Sequence, residues 1–259
     1  MAARAKGNVA GMRSVVVVPT YQEADNVERF LTAVRAAVPA AHVIVVDDAS
    51  PDGTGALAEK VGESLGHVEV LHRRAKEGLG NAYRHGFRHA LDQGFEVIVQ
   101  IDCDFSHDPG RIAALLDALD GPADCIIGSR YVPGGSTPGW PFYRRALSRY
   151  GNLYTAGVLR LGIHDATGGF RAYRAATLET IDIDGTVANG YAFQSETALR
   201  MVRSGLRLQE LPITFSDRRF GTSKMSLRIM AESLLLVTSW ALRDRWADVG
   251  GRVRRPRQR

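Results

Sequence analysis

Three short β-branched runs, each ending in a polar or acidic cluster, constrain this chain more than any other feature. The first is Val15-Val16-Val17-Val18, closed by Pro19. The second, Val43 to Val46, runs into Asp47-Asp48, and the third, Glu96 to Ile101, runs into Asp102-Cys103-Asp104. The first run, four valines without polar alternation, fits a strand buried on both faces, which requires helices on both sides of the sheet. The intervening segments supply them. Val27, Phe30, Leu31, Val34 and Val38 recur at helical spacing up to Pro39. The turn Ser50-Pro51-Asp52-Gly53 leads into a helix through Leu57 and Val61, then a short strand, Val68 to Leu71. Gly80 to Leu91 is again helical in pattern. This alternation predicts an α/β fold, a doubly wound, mostly parallel sheet. Ligands bind such sheets beyond the carboxyl ends of the strands, so the two acidic clusters are expected to meet in one crevice.

The second half changes character. Cys125 to Gly128 reads as a strand, Tyr131 to Trp140 as a Pro- and Gly-rich loop, and Phe142 to Leu161 as a helix carrying Arg144, Arg145 and Arg149. A helix near Tyr191 to Arg203 and a strand from Leu206 to Phe215 follow. A length of 259 residues suits one α/β unit with a C-terminal elaboration. We therefore expect a flexible N-terminus over 1–12, a catalytic domain over 13–225, an amphipathic helix over 226–246 and a basic, disordered tail over 247–259. Leu227, Met230, Leu234, Val237 and Ala241, with Leu235, Leu236 and Trp240, give that helix a broad apolar stripe followed by arginines. Such a segment is a membrane-interface element or, equally, a core helix.

Charge excludes little: a net charge of +5 suits phosphate-bearing ligands, nucleic acid or anionic lipid. The basic residues are dispersed or terminal and form no nucleic-acid recognition module, so no nucleic-acid partner is expected. Two cysteines, Cys103 and Cys125, are too few for a disulfide framework and fit a reducing compartment. Met1 to Met12 lacks the apolar core of a signal peptide. Ile229 to Leu242, broken by Glu232, is shorter than the ~20 residues a spanning helix needs. The expected location is cytoplasmic, peripheral on the cytoplasmic face of a membrane.

Asp102-Cys103-Asp104 carries the strongest chemical signal. Two carboxylates one residue apart at a strand end can both address a hard divalent cation, Mg²⁺ or Mn²⁺, with water and substrate phosphate completing its shell. Asp108-Pro109 caps whatever helix follows. At the second strand end one of Asp47 and Asp48 suffices to meet a nucleobase or ribose, while Asp47, Ser50 and Asp52 also suit turn building. Arg218, Arg219 and Lys224 surround Gly221-Thr222-Ser223, a composition suited to a mobile loop over phosphates. Gly78-Leu79-Gly80 lacks the third small residue of a dinucleotide fingerprint and is taken as a helix start. His85, His89, His107 and His164 show no metal-site spacing.

Pro19-Thr20-Tyr21-Gln22-Glu23, Asp47-Asp48-Ala49-Ser50-Pro51-Asp52-Gly53-Thr54, Asp102 to His107 and Gly128-Ser129-Arg130-Tyr131 occur in an order that resembles family-2 glycosyltransferases. Asp165 to Arg171, Gly190 to Gln194 and Asp217 to Met225 narrow the resemblance to the dolichol- or polyprenol-phosphate mannose synthases. It implies a glycosyltransferase-A fold and inverting transfer of mannose from GDP-mannose to a polyprenyl monophosphate. It further implies that Pro19, Tyr21, Glu23 and Asp48 line the nucleotide pocket, and that Asp102, Cys103 and Asp104 lie at the donor, the two aspartates through the metal. Arg218 and Lys224 would close over the diphosphate, and Arg130 and Arg144, with Ser148, would receive the acceptor phosphate. Asp104, Arg130 and Arg144 are thus the expected catalytic set. Some family members place a metal-binding Gln where this chain has Ser106. The alternatives are UDP-glucose as donor or a non-catalytic nucleotide-sugar-binding subunit. The absence of a spanning helix leaves room for a membrane-embedded anchoring subunit.

Overall fold

The computed structural model describes residues 9–190, 192–217 and 233–243. Seven strands form one sheet in the order β3-β2-β1-β4-β6-β5-β7. They are β1 (Ser14–Thr20), β2 (His42–Asp47), β3 (Val68–His72), β4 (Val97–Gln100), β5 (Cys125–Ser129), β6 (Arg171–Arg174) and β7 (Leu208–Pro212). All neighbours are parallel except at β6, which runs antiparallel to both β4 and β5. The larger helices are α1 (Ala24–Ala37), α2 (Thr54–Leu65), α3 (Leu79–Asp92), α4 (Ile112–Ala118), α5 (Phe142–Val158), α6 (Ala175–Thr180) and α7 (Ala192–Arg203).

The four valines behave as their run demands. Val15 and Val17 face one core with Tyr83 and Phe87 of α3, and Val16 and Val18 face the other with Phe30 and Leu31 of α1. All four are fully buried, each side chain stabilising the fold by about 1.5–3 kcal/mol. Pro19 continues β1 opposite Val46 instead of ending it. The Gly78-Leu79-Gly80 motif has a packing explanation. Gly78 caps α3 at φ 99°, and a β-carbon on Gly80 would come within 2.3 Å of the Ala188 carbonyl oxygen. These glycines let the 188–190 segment close onto the helix start.

β6 and α6 have no counterpart in the sequence reading. Two arginines in four residues do not look like a central strand. Arg171 is nevertheless completely buried, its guanidinium donating to the carbonyls of Gly168 (2.9 Å) and Ala166 (3.2 Å) and to Thr197 Oγ1 (3.0 Å). The segment expected to be flexible contains a short 3-10 turn, Val9–Gly11. Val9 is buried, and its amide donates to Asp120 Oδ1 at 2.6 Å. Residues 233–243 are helical, with Val237, Trp240 and Ala241 in the core and Leu234, Leu235 and Leu242 exposed. The rest of the expected amphipathic helix and the basic tail lie outside the described residues.

Candidate functional site

The carboxyl ends of β1, β2 and β4 lie side by side and frame the crevice. Asp47 builds its wall: it accepts from Thr20 Oγ1 (3.0 Å), the Ser50 amide (3.0 Å) and Ser50 Oγ (2.6 Å). Asp48 does something else. It is buried, paired with the Arg73 guanidinium, and accepts the amides of Glu77 (3.2 Å) and Gly78 (3.3 Å). It thereby ties β2 to the start of α3. Tyr21 and Glu23 follow β1 on the loop into α1. Lys76 Nζ stands 3.8 Å above the Tyr21 ring, and Glu23 accepts from Asn26 Nδ2 at 2.7 Å. Pro19 is buried within the sheet, so its ring belongs to the wall beneath this group.

Asp102 and Asp104 stand in the turn after β4. Asp102 is half-buried, and its Oδ1 accepts the Tyr83 hydroxyl at 2.6 Å. Burial, and then the Asp102 charge, hold the Tyr83 hydroxyl well above the usual phenol range, so it remains a donor. Asp104 is buried and accepts the Ser106 amide at 2.9 Å. Between the two aspartates, the Cys103 side chain packs in the core, and burial pushes its thiol pKa up. The donor set fits a divalent cation. Its oxygens are hard, and one oxygen of each carboxylate is oriented by a hydrogen bond. That suits an ion that keeps waters and takes phosphate oxygens, as Mg²⁺ and Mn²⁺ do.

The expected acceptor side divides in two. Arg130, just after β5, is largely buried, its side chain 9% exposed, and its Nε and Nη2 grip Asp165 at 2.7 Å each. Nη2 also donates to Thr167 Oγ1 at 2.8 Å, and Thr167 in turn donates to Asn152 of α5. Burial alone would raise the Asp165 pKa, but the Arg130 guanidinium holds the carboxyl below its ordinary value. Arg144 lies apart on exposed α5. It donates to Asp217 at 2.7 Å and stacks 4.1 Å from the Trp140 ring. Ser148 accepts the Tyr131 hydroxyl at 2.6 Å. Among the described residues the two arginines share no hydrogen-bond partner: one links α5 to the end of β5, the other links it to the chain leading out of β7.

Arg218 and Lys224 lie outside the described residues, but the segment that leads to them is well fixed. The Phe215 amide donates to Ser136 O (2.9 Å), and the Ser216 amide to Ser106 O (3.1 Å). Asp217 accepts from both Trp140 Nε1 and Arg144. The last described residues before Arg218 thus lie beside the Asp104 turn.

Sequence reasoning missed Arg73, Tyr83, Gln100 and Gln194. The last two are buried at this end of the sheet, and each has amide atoms that make no hydrogen bond of normal geometry among the described residues. It also gave His107 too little weight. This ring is buried between Phe170 and Phe215, and burial lowers its pKa to about 4.

The pattern that defines glycosyl transferase family 2 matches residues 15–182. The chain belongs to this family. This glycosyltransferase is 44% identical over 243 residues to polyprenol monophosphomannose synthase of Mycolicibacterium smegmatis, covering 93% of this chain and 92% of that one. It is 46% identical over 242 residues to undecaprenyl-phosphate mannosyltransferase of Micrococcus luteus, covering 93% and 99%. Among solved structures, mannosyltransferase PcManGT from Pyrobaculum calidifontis, in complex with GDP-Man and Mn²⁺, superposes with a TM-score of 0.63 at 21% identity, covering 90% of this chain and 64% of that one. The fold is of the glycosyltransferase-A type expected from the motifs.

Proposed function

We propose that this glycosyltransferase moves mannose from GDP-mannose to a polyprenyl, dolichyl-type monophosphate, inverting the anomeric centre, at the cytoplasmic face of a membrane. The observation that carries the reading is the Asp102/Asp104 pair, with Ser216, two residues before Arg218, hydrogen-bonded to its turn at Ser106. The names of the two mannosyl-transferring relatives support the sugar and the acceptor.

Asp102 and Asp104 would hold Mg²⁺ or Mn²⁺, which when bound stabilises negative charge on the departing diphosphate. Asp48, Tyr21 and Glu23 would meet the nucleoside, with Arg73 setting the Asp48 carboxylate. An acceptor phosphate is already anionic near neutrality, its second pKa being about 6, and needs no general base. The chain's task is alignment and charge neutralisation. Arg144 would reach the phosphate by exchanging Asp217 for it. Arg130, locked to Asp165, would contribute positive field and hold the wall in shape.

A membrane surface suits the acceptor, and α5 offers one. Phe142 is 83% exposed, Tyr143 73% and Tyr150 71%. Tyr143, Leu147, Tyr150 and Tyr154 recur at helical spacing on one face, flanked by Arg145 and Arg149. Amphipathic aromatics beside basic residues favour the headgroup layer. No helix among the described residues is long and apolar enough to cross a membrane.

The deciding experiment supplies polyprenyl phosphate with radiolabelled GDP-mannose or UDP-glucose and Mn²⁺, followed by product analysis. A β-linked mannosyl lipid from GDP-mannose is expected. Label transfer from UDP-glucose alone would overturn the donor assignment, and no nucleotide-sugar binding at all would overturn the enzyme reading.

A further inference from the structure

Behind Asp102 the crevice floor holds two glutamines whose amides are shut away from water without full protein pairing. Gln194, in the first turn of α7, is 2% exposed, and neither its Nε2 nor its Oε1 has a hydrogen-bond partner among the described residues. Gln100, the last residue of β4, is completely buried. Its Oε1 accepts the Tyr173 hydroxyl at 2.9 Å, whereas its Nε2, which faces the Tyr83 hydroxyl, makes no hydrogen bond of normal geometry among the described residues. Buried amides are nearly always paired, so an unpaired cluster calls for an explanation.

Gly169 supplies one. The β-carbon it lacks would lie 3.5 Å from Asp102 Oδ2, 3.6 Å from Gln194 Nε2 and 3.9 Å from Gln100 Nε2. The missing side chain leaves a small niche faced by two amides and one carboxylate. Gly169 and Asp102 are themselves partly exposed.

We propose that this niche is a hydroxyl-binding subsite for the hexose of the nucleotide-sugar donor, with Gln194 as its main positioning residue. A hydroxyl both donates and accepts, and the Gln194 amide offers both complements in one group. A phosphate would meet neutral amides and a carboxylate here, with no cation among these three side chains. The inference rests on the reading that Asp102 attends the donor diphosphate, because the group bonded next to that diphosphate is the sugar. Pairing to Gln194 and Gln100 would fix the rotation of the ring and present its anomeric carbon to the acceptor.

Two variants test this. Gln194→Leu keeps the volume and removes the amide. Gly169→Ala fills the niche while meeting all three neighbours at ordinary van der Waals distance, so the fold tolerates it. Each is compared with the wild type for kcat/KM toward the sugar nucleotide it uses, GDP-mannose or UDP-glucose, and for inhibition by the matching sugar-free diphosphate, GDP or UDP, with Mn²⁺. We expect kcat/KM to fall at least about tenfold in both variants, the worth of one well-made buried hydrogen bond. Inhibition by the free diphosphate should change by less than about twofold, and melting temperatures should stay level. Unchanged kcat/KM would mean that the niche holds only water, and equal weakening toward the free diphosphate would mean that it serves the nucleotide or the fold. Either result overturns the subsite while leaving the donor reading intact. A wild type that turns over neither sugar nucleotide overturns the donor reading, and the subsite with it.

Discussion

The phenolic hydroxyl of Tyr83 donates to Asp102 Oδ1 across 2.6 Å, so the middle of α3 sets the orientation of a carboxylate at the end of β4. The Tyr83 ring is stacked on Phe87 (5.5 Å) and Phe193 (5.9 Å), which leaves the hydroxyl little freedom. Replacing Tyr83 with Phe keeps the stack and deletes the donor. Groups that orient a metal ligand typically matter about 10–100-fold for metal affinity. Titration of transfer activity with Mn²⁺ is expected to show a rise of that order in the concentration needed for half-maximal rate. An unchanged titration would separate Tyr83 from the donor site.

The Arg130–Asp165 pair makes a stability prediction. Asp165 is completely buried, and removing it strands a buried guanidinium. Breaking such a pair from one side costs about 3–5 kcal/mol. Urea unfolding of Asp165→Ala should register that loss. The double replacement Arg130→Met with Asp165→Leu should recover much of it without restoring transfer.

Acid sensitivity follows from His107. Its folded pKa is about 4 against about 6.5 for an ordinary histidine, so as pH falls below 6.5 the unfolded chain takes up the proton first and stability drops. The loss proceeds at up to about 1.4 kcal/mol per pH unit and levels off near pH 4. Asp165 adds to it lower down. Its carboxyl is depressed in the fold, so its contribution is present above the unfolded value of about 3.9 and disappears as pH falls through the folded value. Denaturation midpoints between pH 7 and 4.5 should flatten in His107→Leu. An equally steep decline in that variant would remove His107 as the cause.

The exposed face of α5 predicts membrane affinity. Tyr143→Ser with Tyr150→Ser removes two large side chains whose rings bury nothing in the fold's core, so melting should hardly move. Sedimentation with vesicles containing anionic lipid should show clearly weaker binding than the wild type. Equal sedimentation would assign the face another purpose.

Much of this architecture was legible because the valine and isoleucine runs admit one environment only. β1, β2 and β4 are where those runs stand, and their acidic ends do share one edge. β6 was illegible because Arg171 balances its charge with two carbonyls and a threonine hydroxyl, none of which its own four-residue strand reveals. For the site, Asp102 and Asp104 announced themselves by spacing and charge. Tyr83 did not, since within a helix it looks like one more core aromatic. Gln100 is neutral and carries no pattern, and Gln194 closes the Gly190 to Gln194 motif, which by itself assigns that side chain no role. α5 shows a regular apolar stripe, but periodicity predicts a face and says nothing about what covers it.

The antiparallel strand has a consequence for how this molecule is assembled. β5 pairs only with β6 and β7, both made later on the ribosome, so at synthesis it waits without a hydrogen-bonding neighbour. β1, β2, β3 and β4 face no such delay, because each finds a partner within the first hundred residues. The half of the sheet built from β1 to β4 can thus pair before β5 has a neighbour, and β6 is the strand that joins the two halves. A chain cut just before Arg171 would keep most residues of the crevice in its sequence and lose the strand that joins them.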